Sequence, residues 1–540
     1  MRFHFTREPG ATVIGTVERG CQEHLSFPLG PSERLELLGD PVIRDPARFP
    51  AVALGSDGRV DGSRLFDTAP GHYYWFHWKD DTLECGSSFC GLLPMFFSER
   101  NGRLDIASLA TGIAASHGRI ADDRAWLLER TLFNYPLFDR TPWKGIRRLP
   151  AHSKLVVTPE VVKEERFFRV EDHFGDGAGR TAVDMDHLCD MFSDECELMI
   201  PARDFALSFT GGFDGRTLLA AALALGRKDF TTYGFGSPGE SDIVLPGMQA
   251  RMLGLPYRSV LLDDKYVRED ALKAALTFME LSGQEGNLGR PHYLHAAELL
   301  SKQHPYLVTG NFGSELFRAL HTPGEMMTGH LIDAFSPVDD AWRSRLFAAA
   351  GPAFAHEAAE VVDTLAAYLA EVADRSPSRR FYRFVFDELL RKYFGPEIMV
   401  QSHFLRNRTP FLSLRFVKAV HHTEWAGVHA RLFEQDRSRR MRGQKFYAAF
   451  LRRASPRLYH MRTNKGYMPV DLDRSWRLPL LVARSLWKRI LVAEHPDSNA
   501  VGALLNLHRA AILERYGLID QDDDIGRLSA RVAWAACGGK

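Results

Sequence analysis

Of 540 residues only six are cysteine (Cys21, Cys85, Cys90, Cys189, Cys196 and Cys537), and no two form a CxxC pair. Neither a disulfide framework nor a structural zinc site is expected, and a reducing compartment, the cytoplasm, fits best. Net charge is missing too: 68 Lys and Arg balance 68 Asp and Glu, which removes the overall pull toward DNA or RNA. No apolar run approaches the ~20 residues that cross a bilayer. The opening Met1-Arg-Phe-His-Phe-Thr-Arg-Glu8 has no apolar signal core, so no membrane partner is expected. Internal repeats and low-complexity tracts are likewise lacking. What is present is 45% hydrophobic and 25% charged residues, a soluble-globular balance in a chain too long for one ordinary core.

Up to about residue 170, short alternating segments such as His72–Trp78 and Met95–Phe97 are broken by Gly, Pro, Asp and Ser, which predicts mainly β structure. Trp75, Phe76 and Trp78 read as core aromatics. A linker is expected at Gly175-Asp-Gly-Ala-Gly179, followed by helical periodicity over Val183–Met199. Residues 205–263 then alternate: strand Phe205–Phe209, a turn at Gly211-Gly212, helix Arg216–Leu225, strand Phe230–Phe235, helix Leu245–Leu253 and strand Tyr257–Leu262. This is a parallel βαβ pattern, in which ligands bind at the carboxyl ends of the strands. Pro305–Thr309 supplies a further strand, and helices are expected over Ala353–Val372, Phe381–Phe394 and Leu480–Ala493. The class is α/β, with an N-terminal α+β domain over 1–175 and a helix-rich α/β domain over 176–540.

The most informative stretch is Leu207-Ser-Phe-Thr-Gly-Gly-Phe-Asp-Gly-Arg-Thr217, a strand running through two glycines into a helix. Gly211 and Gly212 let backbone N–H groups approach an anion, the helix N-terminus adds partial positive charge, and Thr210 offers a hydroxyl. Asp214, in the first helical turn, is placed to hold a magnesium ion that bridges phosphate oxygens. A glycine pair after a strand is by itself a common tight turn. The loop itself carries neither GxxxxGK[ST] nor GxGxxG, so it is neither of the two familiar nucleotide fingerprints.

Thr210-Gly-Gly-Phe-Asp-Gly215 resembles the SGGxDS pyrophosphatase loop of the asparagine synthetase family, and further segments follow in that family's order. Asp139-Arg-Thr-Pro-Trp-Lys-Gly-Ile-Arg-Arg-Leu-Pro150 is similar to its interdomain crossing, and Thr232-Tyr-Gly-Phe-Gly236 to the strand end lining its adenine pocket. Glu240-Ser-Asp242 matches the segment after that, Thr309-Gly-Asn-Phe-Gly-Ser-Glu-Leu-Phe317 its (S/T)GxGxDELF turn, and Arg408-Thr-Pro-Phe-Leu412 its R-x-P-F-L-D. Upstream, Ser88–Phe97 and Leu104–Ser108 resemble its glutaminase fold, a nucleophile-hydrolase sandwich.

The resemblance implies activation of a carboxylate by ATP to an acyl-adenylate, release of pyrophosphate, and attack of an amine to give an amide. Thr210, Gly211, Gly212 and Asp214 would hold the pyrophosphate, and the backbone at Tyr233, Gly234 and Gly310 would flank the nucleotide. Asp214 and Glu315 would hold Mg2+, with Ser314 standing where the family has a second metal-binding Asp. Lys465, in Arg462-Thr-Asn-Lys-Gly-Tyr467, is the expected catalytic cation beside Glu315, with Arg462 next in line; the family's pattern, K-x-G-F, sets its Lys one residue earlier relative to the Gly. Arg408 and Ser413, the latter where the family has Asp, are expected to be structural.

Glutamine-hydrolysing members begin Met-Cys-Gly, whereas Arg2 follows Met1 here, so no glutaminase activity is expected. That state is similar to β-lactam synthetases and lasso-peptide cyclases, whose amine comes from a substrate. The partners expected are small-molecule or peptide carboxylates and amines, with a homodimer an open possibility. An ammonia-dependent asparagine synthetase, a nucleotide-binding scaffold that has lost catalysis, and a sulfur-transfer or tRNA-modifying relative are the other readings.

Overall fold

Period-two burial builds the first part of the chain: Phe3 and Phe5 turn inward from a strand whose Arg2 faces water and whose His4 and Thr6 are half-buried. This computed structural model describes residues 1–118, 120–175, 185–318, 326–336, 340–372, 375–432, 442–473, 477, 479–481, 483–484 and 500–539. The expected linker beyond Gly175, the first two residues of the Val183–Met199 helix and most of the Leu480–Ala493 helix lie outside the described residues.

Eleven strands are described before residue 167: β1 (Arg2–Arg7), β2 (Ile14–Glu18), β3 (Glu23–Gly30), β4 (Glu33–Pro41), β5 (Gly71–Lys79), β6 (Thr82–Ser87), β7 (Phe96–Arg100), β8 (Arg103–Ala107), β9 (Arg147–Arg148), β10 (Ser153–Val157) and β11 (Val162–Arg166). They form two antiparallel sheets, in the orders β2-β1-β8-β7-β9 and β11-β10-β6-β5-β4-β3. The sheets face each other through aromatic rings: Phe3 meets Tyr74 edge-on at 4.8 Å between centroids, and Phe5 meets Phe76 at 5.0 Å. Trp75 and Phe76 are fully buried, as core aromatics should be, and Trp78 is half-buried.

Five strands follow: β12 (Phe205–Ser208), β13 (Phe230–Gly236), β14 (Tyr257–Leu261), β15 (Tyr306–Val308) and β16 (Arg406–Arg408). All their pairings are parallel, in the order β14-β13-β12-β15-β16. The whole is a mixed α/β architecture, as expected. β16 was not foreseen, because three residues rich in arginine carry no strand periodicity. Helices start earlier than periodicity suggests, at Asp214 and Ser241, because the polar first turns belong to them.

The helix expected over Phe381–Phe394 is two helices, an α-helix Pro377–Phe384 and a π-helix Val385–Phe394. The wider winding carries Asp387, Glu388, Arg391 and Lys392, all buried, between the sandwich and the helical layer. Arg391 donates to the carbonyls of Leu149 and Phe138, and Asp387 receives Arg166 at 2.9 Å and His152 at 3.2 Å. Burial raises the Asp387 pKa, but His152, Arg166 and Arg383 together pull it well below the usual range. Arg408 closes the same interface against Asp40 at 2.7 Å, and Ser413 donates to Glu195 at 2.6 Å. Both therefore have the structural role expected of them.

Candidate functional site

At the carboxyl end of β12 the chain turns through Phe209–Phe213 into the helix Asp214–Ala224. The order of the parallel sheet reverses here, so β12 and β15 flank the crevice in which such sheets bind ligands. Both 210–215 and 309–317 lie at this crevice.

Close packing explains most of the glycines. A Cβ on Gly215 would lie 2.3 Å from the Ser208 carbonyl, and one on Gly310 2.8 Å from the Asp214 backbone. Gly310 thus lets β15 approach the helix start, and Gly310→Ala is expected to cost about 1–3 kcal/mol by overpacking, read as a lower midpoint in a thermal melt. Gly234 is filled in the same way by the Tyr257 hydroxyl, 2.5 Å from its Cβ position. Gly212 differs. Among the described residues the only neighbour of its Cβ position within 4 Å is Thr210 Oγ1 at 3.6 Å, which leaves open space there.

Asp214 packs against Gly310 and Gly313 of the 309–317 turn. Ser314 Oγ donates to its Oδ2 at 2.7 Å, while its buried Oδ1 makes no hydrogen bond of ordinary geometry among the described residues. The Tyr447 hydroxyl stands beside it, its pKa driven up by burial and then by the charge of Asp214. Glu315 is 9% exposed, and burial first, Asp214 second, raise its carboxyl to about 7. Phe312, at the position where the family's turn has glycine, holds φ +74 with its ring packed on Phe394.

Lys465 arrives on a separate loop latched to the glycine pair. The Asn464 N–H donates to the Gly211 carbonyl at 2.8 Å, and a Cβ on Gly211 would sit 2.5 Å from Asn464 Cβ. Thr463 closes the loop by donating its N–H and hydroxyl to Tyr467 O, at 2.9 and 2.8 Å, and Gly466 supplies the turn with φ +89. Burial, then Arg318, lower Lys465 to about 8 against the opposing pull of Asp214. Asp214 therefore links the three segments, hydrogen-bonded to Ser314 and within electrostatic reach of both Glu315 and Lys465.

No family model matches this chain. No curated protein matches it either. A solved structure that aligns with it is glutamine phosphoribosylpyrophosphate (PRPP) amidotransferase from B. subtilis complexed with ADP and GMP, at 11% identity and a TM-score of 0.18. The alignment covers 49% of this chain and 61% of that one.

Arg462 has an exposed side chain, and its carbonyl accepts from Arg216 Nη2 at 2.8 Å and Gln249 Nε2 at 2.7 Å. Arg318 is the second cation whose charge reaches Lys465 and Glu315. The Tyr233 carbonyl accepts the Phe209 N–H at 2.8 Å, which ties the end of β13 to the start of the loop.

Periodicity missed Arg216, which lies inside the loop motif yet is fully buried with no carboxylate partner among the described residues. Its guanidinium donates to Gln249 Oε1 at 2.9 Å and to the carbonyls of Arg462, Leu458 and Gly212, and burial lowers its pKa to about 10. It ties the glycine turn to the Lys465 loop. Asp242, in the Glu240-Ser-Asp242 segment, accepts from Asn464 Nδ2 at 3.0 Å, while Tyr447 carries no sequence signal tying it to the site.

The donor set suits magnesium better than a metal held by protein alone. Among the described residues no group of three or more His, Cys, Asp or Glu side chains is placed to hold a metal ion. Magnesium is commonly held by one or two carboxylates plus phosphate oxygens, which Asp214, with its unsatisfied Oδ1, and Glu315 match. No helix among the described residues is long and apolar enough to cross a membrane.

Proposed function

We propose that this chain is an ATP-dependent ligase that forms an amide bond through an acyl-adenylate. The observation that carries the reading is that Asp214, the first residue of the helix after the glycine turn at the switch point of a parallel sheet, is hydrogen-bonded to Ser314 and electrostatically coupled to both Glu315 and Lys465.

In the first step a substrate carboxylate oxygen attacks the α-phosphorus of ATP, and the bond to the β-phosphate oxygen breaks to release pyrophosphate. The N–H groups of the 210–213 turn and the helix N-terminus hold the departing pyrophosphate. Asp214 and Glu315 would hold magnesium, which supplies neutralisation of the charge growing on the phosphates. Lys465, while protonated, places a positive charge against the transferring phosphoryl group, reinforced by Arg318. In the second step an amine nitrogen attacks the acyl carbon, AMP leaves with the bonding electron pair, and the amine loses a proton. In this reading the amine is supplied by a substrate.

The test is pyrophosphate release from ATP and magnesium across a panel of amino acids, β-amino acids and small peptides, with mass spectrometry of the products. Release with a particular carboxylate, accompanied by AMP and an amide, is expected. Formation of ADP and phosphate in its place would remove the reading. Gly212→Ala is expected to abolish release while leaving the thermal midpoint within a degree or so, because the added methyl enters open space and crowds only the phosphate position.

A second reading is a nucleotide-binding scaffold without catalysis. It is favoured by Ser314, a neutral hydroxyl committed to Asp214 where the family carries a second acid. ATP binding with no turnover across the panel distinguishes it.

A further inference from the structure

A cleft of about 300 Å3 opens where the sandwich meets the helical layer, lined in part by Tyr135, Phe278, Glu285, Arg290, Lys392 and Ile525. None of the residues assigned to the nucleotide lines it, and the inference goes beyond that reading. Its relation to the nucleotide crevice is through Glu397, which accepts from Arg290 at 2.7 Å on one side and from Asn311 at 3.2 Å on the other.

The charges around this cleft do not balance locally. Glu285 is taken by Arg148 at 3.1 Å, Glu397 by Arg290, and Glu388 by Arg391. Lys392, on the π-helix, is left over: it is 3% exposed and its Nζ has no hydrogen-bond partner among the described residues. Burial, then the charges of Arg148 and Arg391, lower Lys392 to about 7 against the pull of Glu388 and Glu285, and Glu129 adds a weaker attraction from the neighbouring helix. Arg130 adds to the same excess, since it donates only to the carbonyls of Gln284 and Gly286. A buried ammonium without an acceptor is expensive, and an anion entering the cleft relieves it. The rest of the lining combines aromatic and aliphatic groups with Asn134, Asn287 and the exposed Asp524, whose carboxylate accepts the Arg527 N–H, and the volume falls at the lower end for small-ligand sites.

We propose that this cleft binds a small organic carboxylate, its acid group meeting Lys392 and its apolar body lying against Tyr135, Phe278 and Ile525. A phosphate alone would leave the apolar walls unfilled, and a neutral molecule would leave the ammonium without an acceptor.

The experiment is isothermal titration of the full chain with 3-phenylpropanoate and with its neutral isostere 3-phenylpropanamide, below pH 7, where Lys392 carries its proton. The acid is expected to bind at one site per chain, about tenfold or more tighter than the amide, as one charge-assisted hydrogen bond allows. In Lys392→Met that preference is expected to vanish while ATP binding is kept. The proposal is overturned by no saturable binding of the acid up to about 10 mM, by equal binding of acid and amide, or by a preference that survives in Lys392→Met. The acid and amide comparison on the unaltered chain decides the matter even if the variant fails to fold. ATP binding, followed separately, keeps failure here distinct from failure of the ligase reading.

Discussion

Asp214→Asn is expected to cut ATP-dependent pyrophosphate release by about a hundredfold to a thousandfold, the range seen when one element of charge stabilisation is lost from a preorganised site. The substitution is nearly isosteric, and Ser314 can still donate to the remaining amide oxygen, so the helix start should keep its shape. What is lost is the negative charge on a carboxylate whose Oδ1 makes no hydrogen bond of ordinary geometry among the described residues. The magnesium concentration needed for half-maximal rate should therefore rise at least about tenfold, since half of the carboxylate pair is gone. Kinetics at several magnesium concentrations, together with a thermal melt, separate this outcome from simple unfolding. A variant with an unaltered magnesium requirement would move the metal away from Asp214.

The second large effect is a narrow pH profile. Glu315 is raised to about 7, so below that pH it is protonated, neutral and a poor metal ligand. Lys465 is lowered to about 8, so above that pH it loses the charge it sets against the phosphoryl group. For the free enzyme, kcat/KM should therefore rise through about pH 7 and fall through about pH 8, a bell with closely spaced limbs. Magnesium, by favouring the carboxylate form of Glu315, should shift the acid limb downward when it is saturating. Glu315→Gln should remove the acid limb and Lys465→Arg the alkaline one, because guanidinium stays charged throughout. Lys465→Met should lose roughly a hundredfold or more in rate at neutral pH while still binding nucleotide. A profile flat from pH 6 to 9, measured on kcat/KM, would show that neither group carries the function assigned here.

Much of the site was legible because its central piece is contiguous. In Leu207–Thr217 the strand, the glycine pair and the first-turn acid follow one another, so periodicity and helix-terminus electrostatics suffice to find it. The parallel βαβ order was legible for the same local reason, while β16 was not, since its three residues pair only through the tertiary fold. The glycines were read in one way and turned out to work in two. At Gly211, Gly234 and Gly310 a protein atom occupies the space of the missing side chain, and only at Gly212 does that space stay open. A sequence names the glycine but not what faces it.

Residues joined only by packing escaped. Tyr447 reaches Asp214 across 233 positions of chain, Arg318 couples to Lys465 from a separate segment, and nothing local to Arg216 marks it as buried. The charge pattern of Val385–Phe394 also misleads, since Asp-Glu followed by Arg-Lys usually marks a solvated face. Here all four are buried at an interface: Asp387 is paired with Arg166 from another element, Glu388 and Arg391 pair with each other, and Lys392 has no hydrogen-bond partner among the described residues.

The central claim is that the 210–215 turn, with Asp214, Glu315 and Lys465 around it, holds the phosphates of ATP. Equilibrium binding of ATP to the full chain, with and without magnesium and alongside Gly212→Ala, tests it without knowledge of the carboxylate or the amine. The account predicts saturable binding that strengthens with magnesium and is lost in a Gly212→Ala protein that melts normally. Absence of binding, or binding indifferent to both magnesium and Gly212→Ala, would contradict it.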